Sequence, residues 1–188
     1  GFTSEARWLR YANSHLRGMF PDLPRQSGYN KRVRAAAGML RAVLAHLVGR
    51  CSRSTDDVWV VDSTPVECGR SRETAKRSDL AGWAEYGYCA SHSRFFWGLR
   101  LHLVCTLSGL PVAFALAGAK ADEREVLLGM LDADPNLMIA HQKQKLMADK
   151  NYYGKAFEAA LADAEVELLR PARKGEKPRP AHRYFKPF

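Results

Sequence analysis

Val58-Trp59-Val60-Val61-Asp62-Ser63-Thr64-Pro65-Val66 is the stretch on which the reading of this chain turns. Val58 to Val61 is apolar, largely β-branched and without helical period, as a strand buried within a sheet should be. The run ends on a carboxylate, Asp62. A second short strand, Lys145 to Ala148, ends the same way at Asp149. Carboxylates at the ends of neighbouring central strands converge on one crevice, where open α/β sheets usually place their sites.

Outward from that stretch, residues 67–94 are polar and rich in Gly, Ser and Arg, and read as a long loop. Phe95 to Leu107 reads as a strand. It has Leu99, Leu101, Leu103 and Cys105 on one side and Arg100, His102 and Val104 on the other. Ser108-Gly109 signals a turn and Pro111 to Leu116 a third strand, which makes a hairpin. Asp122 to Leu131 follows as a helix with Asp122 and Glu123 in its first turn. Tyr153 to Ala164 is an amphipathic helix with Phe157, Ala160 and Leu161 inward, and Val166 to Leu169 is a fifth strand. Three early strands and then alternating helix and strand predict an α/β layer fold with a mixed five-stranded sheet flanked by helices.

Residues 1–54 read as a small helical region preceding a domain over 55–188. Thr3 and Ser4 can cap a helix that Pro21 ends. A loop rich in Pro, Gly and Ser follows. From Lys31 to Val48, Val33, Ala36, Ala37, Leu40, Val43, Leu44 and Leu47 make one apolar stripe, with Gly49 placed as a C-terminal cap. Up to Ser54 there are nine Arg and one Lys against Glu5 and Asp22, which leaves +8 of the total net charge of +9. Two readings stand: a helical subdomain that touches DNA phosphates, or an amphipathic helix pair with a solvated basic face.

The net charge and a pI of about 9.6 favour an anionic partner, with nucleic acid ahead of an acidic membrane surface. No apolar run approaches the roughly 18 to 20 residues of a membrane span. Cys51, Cys68, Cys89 and Cys105 form no C-x-x-C pair. The Cys89–His92 offset lacks the second pair a zinc site needs, so free thiols in a reducing, cytoplasmic compartment are expected. The chain opens on Gly1-Phe2-Thr3 without an initiator Met and reads as a fragment at that end.

Mg²⁺ is a hard ion that takes oxygen ligands from one or two carboxylates together with substrate phosphate. Two such ions about 4 Å apart can activate an attacking oxygen and stabilise the leaving oxygen of a phosphodiester. Asp62 and Asp149 in a strongly basic chain suit that chemistry. Spacing alone leaves a second reading open, because Asp is also common at strand ends as turn chemistry.

Val60-Val61-Asp62-Ser63-Thr64-Pro65-Val66 resembles the first catalytic-aspartate segment of DDE transposases from bacterial insertion sequences. Gly98-Leu99-Arg100-Leu101-His102-Leu103, with Gly109-Leu110-Pro111, resembles their second and third strands. Ala119-Lys120-Ala121-Asp122-Glu123 resembles the turn into the next helix, and Met147-Ala148-Asp149-Lys150-Asn151-Tyr152 the second catalytic-aspartate segment. The resemblance runs in order from about Asp56 to Phe188. It implies a ribonuclease-H-like fold, divalent Mg²⁺ or Mn²⁺, and Asp62 and Asp149 as the first two metal ligands. The reaction it implies is hydrolytic nicking at element ends, then attack of the freed 3′-hydroxyl on target DNA. The expected partner is DNA, at element ends and target, in a bacterial, nucleoid-associated setting, with a homodimer on DNA as the expected assembly and no membrane.

One departure stands out. The family's third ligand is a Glu on the helix after the fifth strand, and here the acids after Leu169 reduce to Glu176, between Gly175 and Lys177-Pro178. The expectation is a core that stops before its third carboxylate, with Glu158 a poor substitute on an exposed helix face. Arg70, Arg72, Lys76 and Arg77 in the long loop, Lys150 and Lys155 beside the second aspartate, and Arg173, Lys174 and Lys177 in the basic tail are candidate DNA contacts. For the loop and the tail a solvated charge run is the competing reading. His102 is expected to be a structurally hydrogen-bonded histidine, with a role near the metals or DNA as the alternative. The cluster Tyr86, Tyr88, Phe95, Phe96 and Trp97 is expected to serve core packing and strand pairing rather than base stacking. Besides the active enzyme, two alternatives remain: an inactive remnant that only binds DNA, and another two-metal nuclease of the same fold.

Overall fold

The structure is a computed structural model that describes residues 2, 4–50, 56–90, 93–134, 143–177 and 179. The chain divides into two compact units, Gly1–Arg50 and Cys51–Phe188.

The first unit holds α1 (Glu5–His15), α2 (Gln26–Ala35) and α3 (Ala37–Arg50). Ser4 caps α1 by accepting from the Arg7 amide. The helix ends at His15, short of Pro21. Asn13, Ser14 and His15 bond through their side chains to the carbonyls of Leu9, Arg10 and Tyr11, and such bonds compete with helix continuation. The expected Lys31–Val48 helix is two helices. The first begins five residues earlier, within the stretch read as a loop, and the break falls at Ala36, whose amide bonds the Arg32 and Arg34 carbonyls. Gly49 lies inside α3, so it caps nothing. Leu9 and Ala12 are the buried hydrophobics of α1, whereas Val33, Met39, Leu40 and Val43 are exposed. Thr3 lies outside the described residues, as do Cys51, His92, Arg183 and Lys186.

In the second unit the frame is one mixed sheet. β1 (Val58–Gly69) pairs antiparallel with β3 (Arg94–Thr106) along nearly its whole length and parallel with β5 (Lys145–Met147). β5 pairs parallel with β6 (Glu167–Leu169). The other edge of β3 carries two strands end to end, β2 (Glu85–Cys89) and β4 (Pro111–Gly118). Six strands therefore fill five positions, and the chain has the expected mixed five-position sheet flanked by helices, consistent with a ribonuclease-H-like domain. Residues 67–94 are not a long loop. β1 continues to Gly69, α4 (Arg72–Arg77) follows with Ser71 as its cap, and β2 comes next. Gly98 makes the β1–β3 crossing possible: a Cβ there would lie 2.0 Å from the Val66 carbonyl oxygen, beside the register shift at Glu67–Gly69.

α5 (Glu123–Asp132) and α6 (Lys155–Asp163, the element after β5) pack on one face of the sheet. Trp59, Val61, Val104 and Leu146 from the strands meet Leu127, Met130 and Leu131 of α5 and Phe157 and Leu161 of α6 in the main core. Each such side chain stabilises the fold by about 1.5–3 kcal/mol on burial. Asp122 caps α5 and holds the Arg124 side chain. The hydrogen bond from that guanidinium pulls the Asp122 carboxyl down to about 2. α6 begins at Gly154, whose φ of +134° a residue with a Cβ would adopt only under strain.

The opposite face of the sheet is less well covered. Pairing puts Val58, Val60, Leu101, Leu103, Cys105 and Met147 there, all partly exposed, with Phe114 and Leu116 exposed at its edge. A small cluster of Ala75 from α4 with Ala84, Trp97 and Leu99 covers the end nearest β2.

Candidate active site

Val60 and Met147 are the last registered pair of β1 and β5, and Asp62 and Asp149 each stand two residues further along. Asp62 is still within β1 and Asp149 lies just past the end of β5, so both stand at the same end of the two paired strands. Both are exposed. Asp62 accepts the Ser63 amide at 2.7 Å. Asp149 accepts the Asn151 amide at 2.7 Å and the Asn151 side chain at 3.0 Å, which fixes the turn after β5.

Beneath them lies a polar group that the sequence did not reveal. Ser63 donates to Glu123 at 2.5 Å, and Arg100 donates to both Glu123 at 3.0 Å and Ser63 at 2.9 Å. Arg100 and Glu123 are partly buried as a pair. This network clamps the strand residue next to Asp62. Tyr152, three residues past Asp149, is 1% exposed, and its hydroxyl has no partner among the described residues. Burial raises its pKa, and the charges of Glu123, Asp62 and Asp149 raise it further. Ser63 and Glu123 are 60 positions apart and Arg100 and Glu123 are 23 apart, so no local pattern announces the pairing.

His102 sits beside this network, on the core face, 1% exposed. The expected hydrogen bonds are not formed: neither ring nitrogen has a partner among the described residues. Burial lowers its pKa, Glu123 opposes that shift, and Arg100 adds to it. Its cross-strand neighbours are Ser63 on β1 and Ala115 on β4.

Neither glutamate weighed as a third ligand is free. Arg170, 1% exposed, donates to Glu158 at 2.9 Å and to Glu176 at 2.8 Å, and Arg179 donates to the other oxygen of Glu158 at 2.7 Å. Glu158 is therefore half-buried and paired, not exposed as expected. Burial pushes its carboxyl up, but the hydrogen bonds from Arg179 and Arg170 outweigh this and leave it below the usual range. The Arg170 hydrogen bond brings Glu176 down to about 2. These pairs fold residues 170–177 back onto α6. Among the described residues no three His, Cys, Asp or Glu side chains stand close enough to hold a metal ion.

The candidate DNA contacts fall into two groups. Arg70, Arg72, Lys76 and Arg77 surround α4, well along β1 from Asp62. Arg70 pairs with Glu67, and Lys76 and Arg77 with Glu73, at 3.5–3.8 Å on open surface. Such pairs are weak and leave the cations available to phosphate. Lys150 and Lys155 are exposed beside Asp149. Arg173 lies 3.6 Å over the Tyr153 ring, with Arg124 5.5 Å from the same ring, and this packs the start of the Arg173–Lys177 loop on a residue of the turn after Asp149. Among the described residues no helix is long and apolar enough to cross a membrane.

No curated protein matches this chain. Residues 52–186, well over half of its length, match the transposase DDE domain, the sheet and both aspartates included. This chain belongs to the transposase DDE domain family.

Proposed function

We propose that Asp62 and Asp149 are the first two metal ligands of a DNA transposase that nicks element ends and transfers the freed strand into target DNA. The observation that supports this is their equivalent position on adjacent parallel strands, two residues past Val60 and Met147. Two exposed carboxylates on a fixed frame suit a hard divalent cation, Mg²⁺ or Mn²⁺. Bound there, such an ion would supply Lewis-acid activation of water and charge stabilisation at the scissile phosphate. The chain's own groups do the positioning. The Ser63–Arg100–Glu123 network holds β1 at Asp62, and Asn151 holds the Asp149 carboxylate. Lys150, Lys155 and the Arg173–Lys177 loop meet phosphates beside the pair, and Arg70 to Arg77 meet DNA further away.

A second reading, a DNA-binding remnant without cleavage, draws support from the engagement of Glu158 and Glu176 with Arg170. With those two acids paired to arginine, Asp62 and Asp149 are the carboxylates left for an ion among the candidates weighed. Residues 1–188 therefore bind Mg²⁺ or Mn²⁺ weakly and cleave little. The deciding experiment is a Mg²⁺-dependent nicking assay on DNA carrying the parent element's end. It compares residues 1–188, a version extended through a further helix bearing Glu, and Asp62→Asn and Asp149→Asn in each. The reading expects cleavage in the extended version and none in its Asn variants. Strong nicking by residues 1–188 would restore Glu158 or Glu176 as a ligand, and activity surviving Asp62→Asn would end the metal-site reading.

A further inference from the structure

The aromatic residues near β2 divide in a way that strand pairing alone does not require. Phe96 and Trp97 are buried, but Phe95 is 79% exposed, Tyr86 53% and Tyr88 48%. Pairing of Tyr86 with Trp97 and of Tyr88 with Phe95 puts the three exposed rings on one face of the β2–β3 hairpin. Tyr88 and Phe95 touch, with centroids 4.9 Å apart and planes at 54°. Exposed rings grouped like this mark a contact surface.

The surroundings say what kind. Trp97, the neighbour of Tyr86, packs under Ala75 of α4, so the exposed Arg72, Lys76 and Arg77 of that helix flank the rings. Rings with open faces inside a basic rim suit a polyanion that also carries flat, apolar groups. Single-stranded nucleic acid is that ligand: its phosphates meet the cations and its bases stack on the rings without regard to sequence. On α4, Arg72, Lys76 and Arg77 stand against Glu73 alone, so the local excess is positive and favours a polyanion.

We propose that Tyr86, Tyr88 and Phe95 form a stacking platform for unpaired bases of the DNA on which this domain acts, with the cations of α4 holding the backbone. The proposal rests on the transposase reading and adds a substrate feature to it. Asp62 pairs with Leu103, eight residues along β3 from Phe95, so the platform lies about 27 Å from the aspartates along the strand. It therefore meets unpaired nucleotides flanking the cut rather than the scissile phosphate itself.

The test is binding of residues 1–188 to two fluorescent DNAs, a blunt duplex and the same duplex with a single-stranded tail of about twelve nucleotides. The tailed DNA should bind more tightly. Phe95→Leu with Tyr88→Leu, which keeps the apolar cross-strand pair but removes the rings, should weaken tailed binding about tenfold and leave blunt binding unchanged. Phe95→Tyr with Tyr88→Phe should retain the preference. Equal binding of both DNAs by the wild type, or equal loss on both in the Leu variant, sinks the platform and leaves DNA binding intact. Failure to bind either DNA sinks the transposase reading too. If the Leu variant leaves DNA binding alone but turns a dimer into a monomer in sedimentation, the rings are a self-interface and the proposal falls.

Discussion

The two faces of the sheet are built to different standards. One carries Trp59, Val61, His102, Val104 and Leu146 under α5 and α6, each of them 3% exposed or less. The other carries Val60, Leu101, Leu103 and Met147, all partly exposed, and ends in the open Phe114 and Leu116. Asp62 belongs to the second face, opposite Leu103, while Ser63 turns to the first and joins Glu123 and Arg100. One strand thus anchors a network on its sealed side and offers a carboxylate on its open side. Stability and candidate chemistry are separated by a single residue, and substitutions should show that division.

The largest effect belongs to the sealed face. Trp59→Ala removes a ring that is 1% exposed, and should cost about 3–5 kcal/mol in urea denaturation. Phe114→Ala, on the open face, should cost less than about 1 kcal/mol. Similar losses at the two positions would mean that the open face is covered in solution and the comparison is wrong.

Next comes Arg170. Its guanidinium is buried, and it ties the 170–177 loop to α6 through Glu158 and Glu176. Arg170→Met should cost about 2 kcal/mol, less than breaking a fully buried pair because both glutamates reach solvent. It should also loosen the loop, read as faster hydrogen exchange at residues 171–177. The Glu176 carboxyl is lowered to about 2 from 4.5. Its share of that anchoring is therefore present above about pH 4.5 and lost as pH falls toward 2. Unchanged exchange in Arg170→Met would show that the loop holds itself.

His102 gives a smaller, separate pH effect. Its folded pKa lies below the ordinary 6.5, so the unfolded chain takes up a proton more readily. Stability from the neutral buried ring is complete above about pH 6.5 and falls as pH drops through and below it. The melting temperature should decline over that window in the wild type and stay flatter in His102→Leu, which also removes two unpartnered nitrogens. A wild-type melting temperature that rises on mild acidification would mean that Glu123 holds the imidazolium, with the ring charged.

What could be read in advance follows from range. Val58–Asp62 and Lys145–Asp149 were legible because a short apolar run that ends on a carboxylate is a local pattern, and parallel pairing then brings the two ends together. The helices over Asp122–Leu131 and Tyr153–Ala164 were legible from caps and stripes. β2 was not: Glu85-Tyr86-Gly87-Tyr88-Cys89 mixes charge, glycine and exposed rings, and looks like loop until β3 pairs with it. The leucine alternation in β3 was visible, yet it could not say which side the helices would cover, and they cover the side of His102. The burial of Arg170 was not legible, because nothing local shows that Glu158, twelve residues back, will pair with it. The Ser63–Arg100–Glu123 network was invisible for the same reason at longer range.

The smallest expected change is in the stability of Asp62→Asn. Asp62 is exposed and accepts one backbone bond, from Ser63. Asn keeps an oxygen for that bond, so nothing is left unsatisfied. The substitution also removes one of two like charges on adjacent strands, a repulsion worth a few tenths of a kcal/mol at such distances in solvent. Without metal, Asp62→Asn should match or slightly exceed the wild type, within about 0.5 kcal/mol. Added Mn²⁺ should then separate the two. An ion that binds the folded chain stabilises it by about 1.4 kcal/mol at ten times its dissociation constant, so the wild type should gain with Mn²⁺ and the variant should not. A gain of equal size in both would place the ion elsewhere. A large metal-free loss in the variant would make Asp62 a structural residue, and the division between the two faces would no longer separate stability from chemistry.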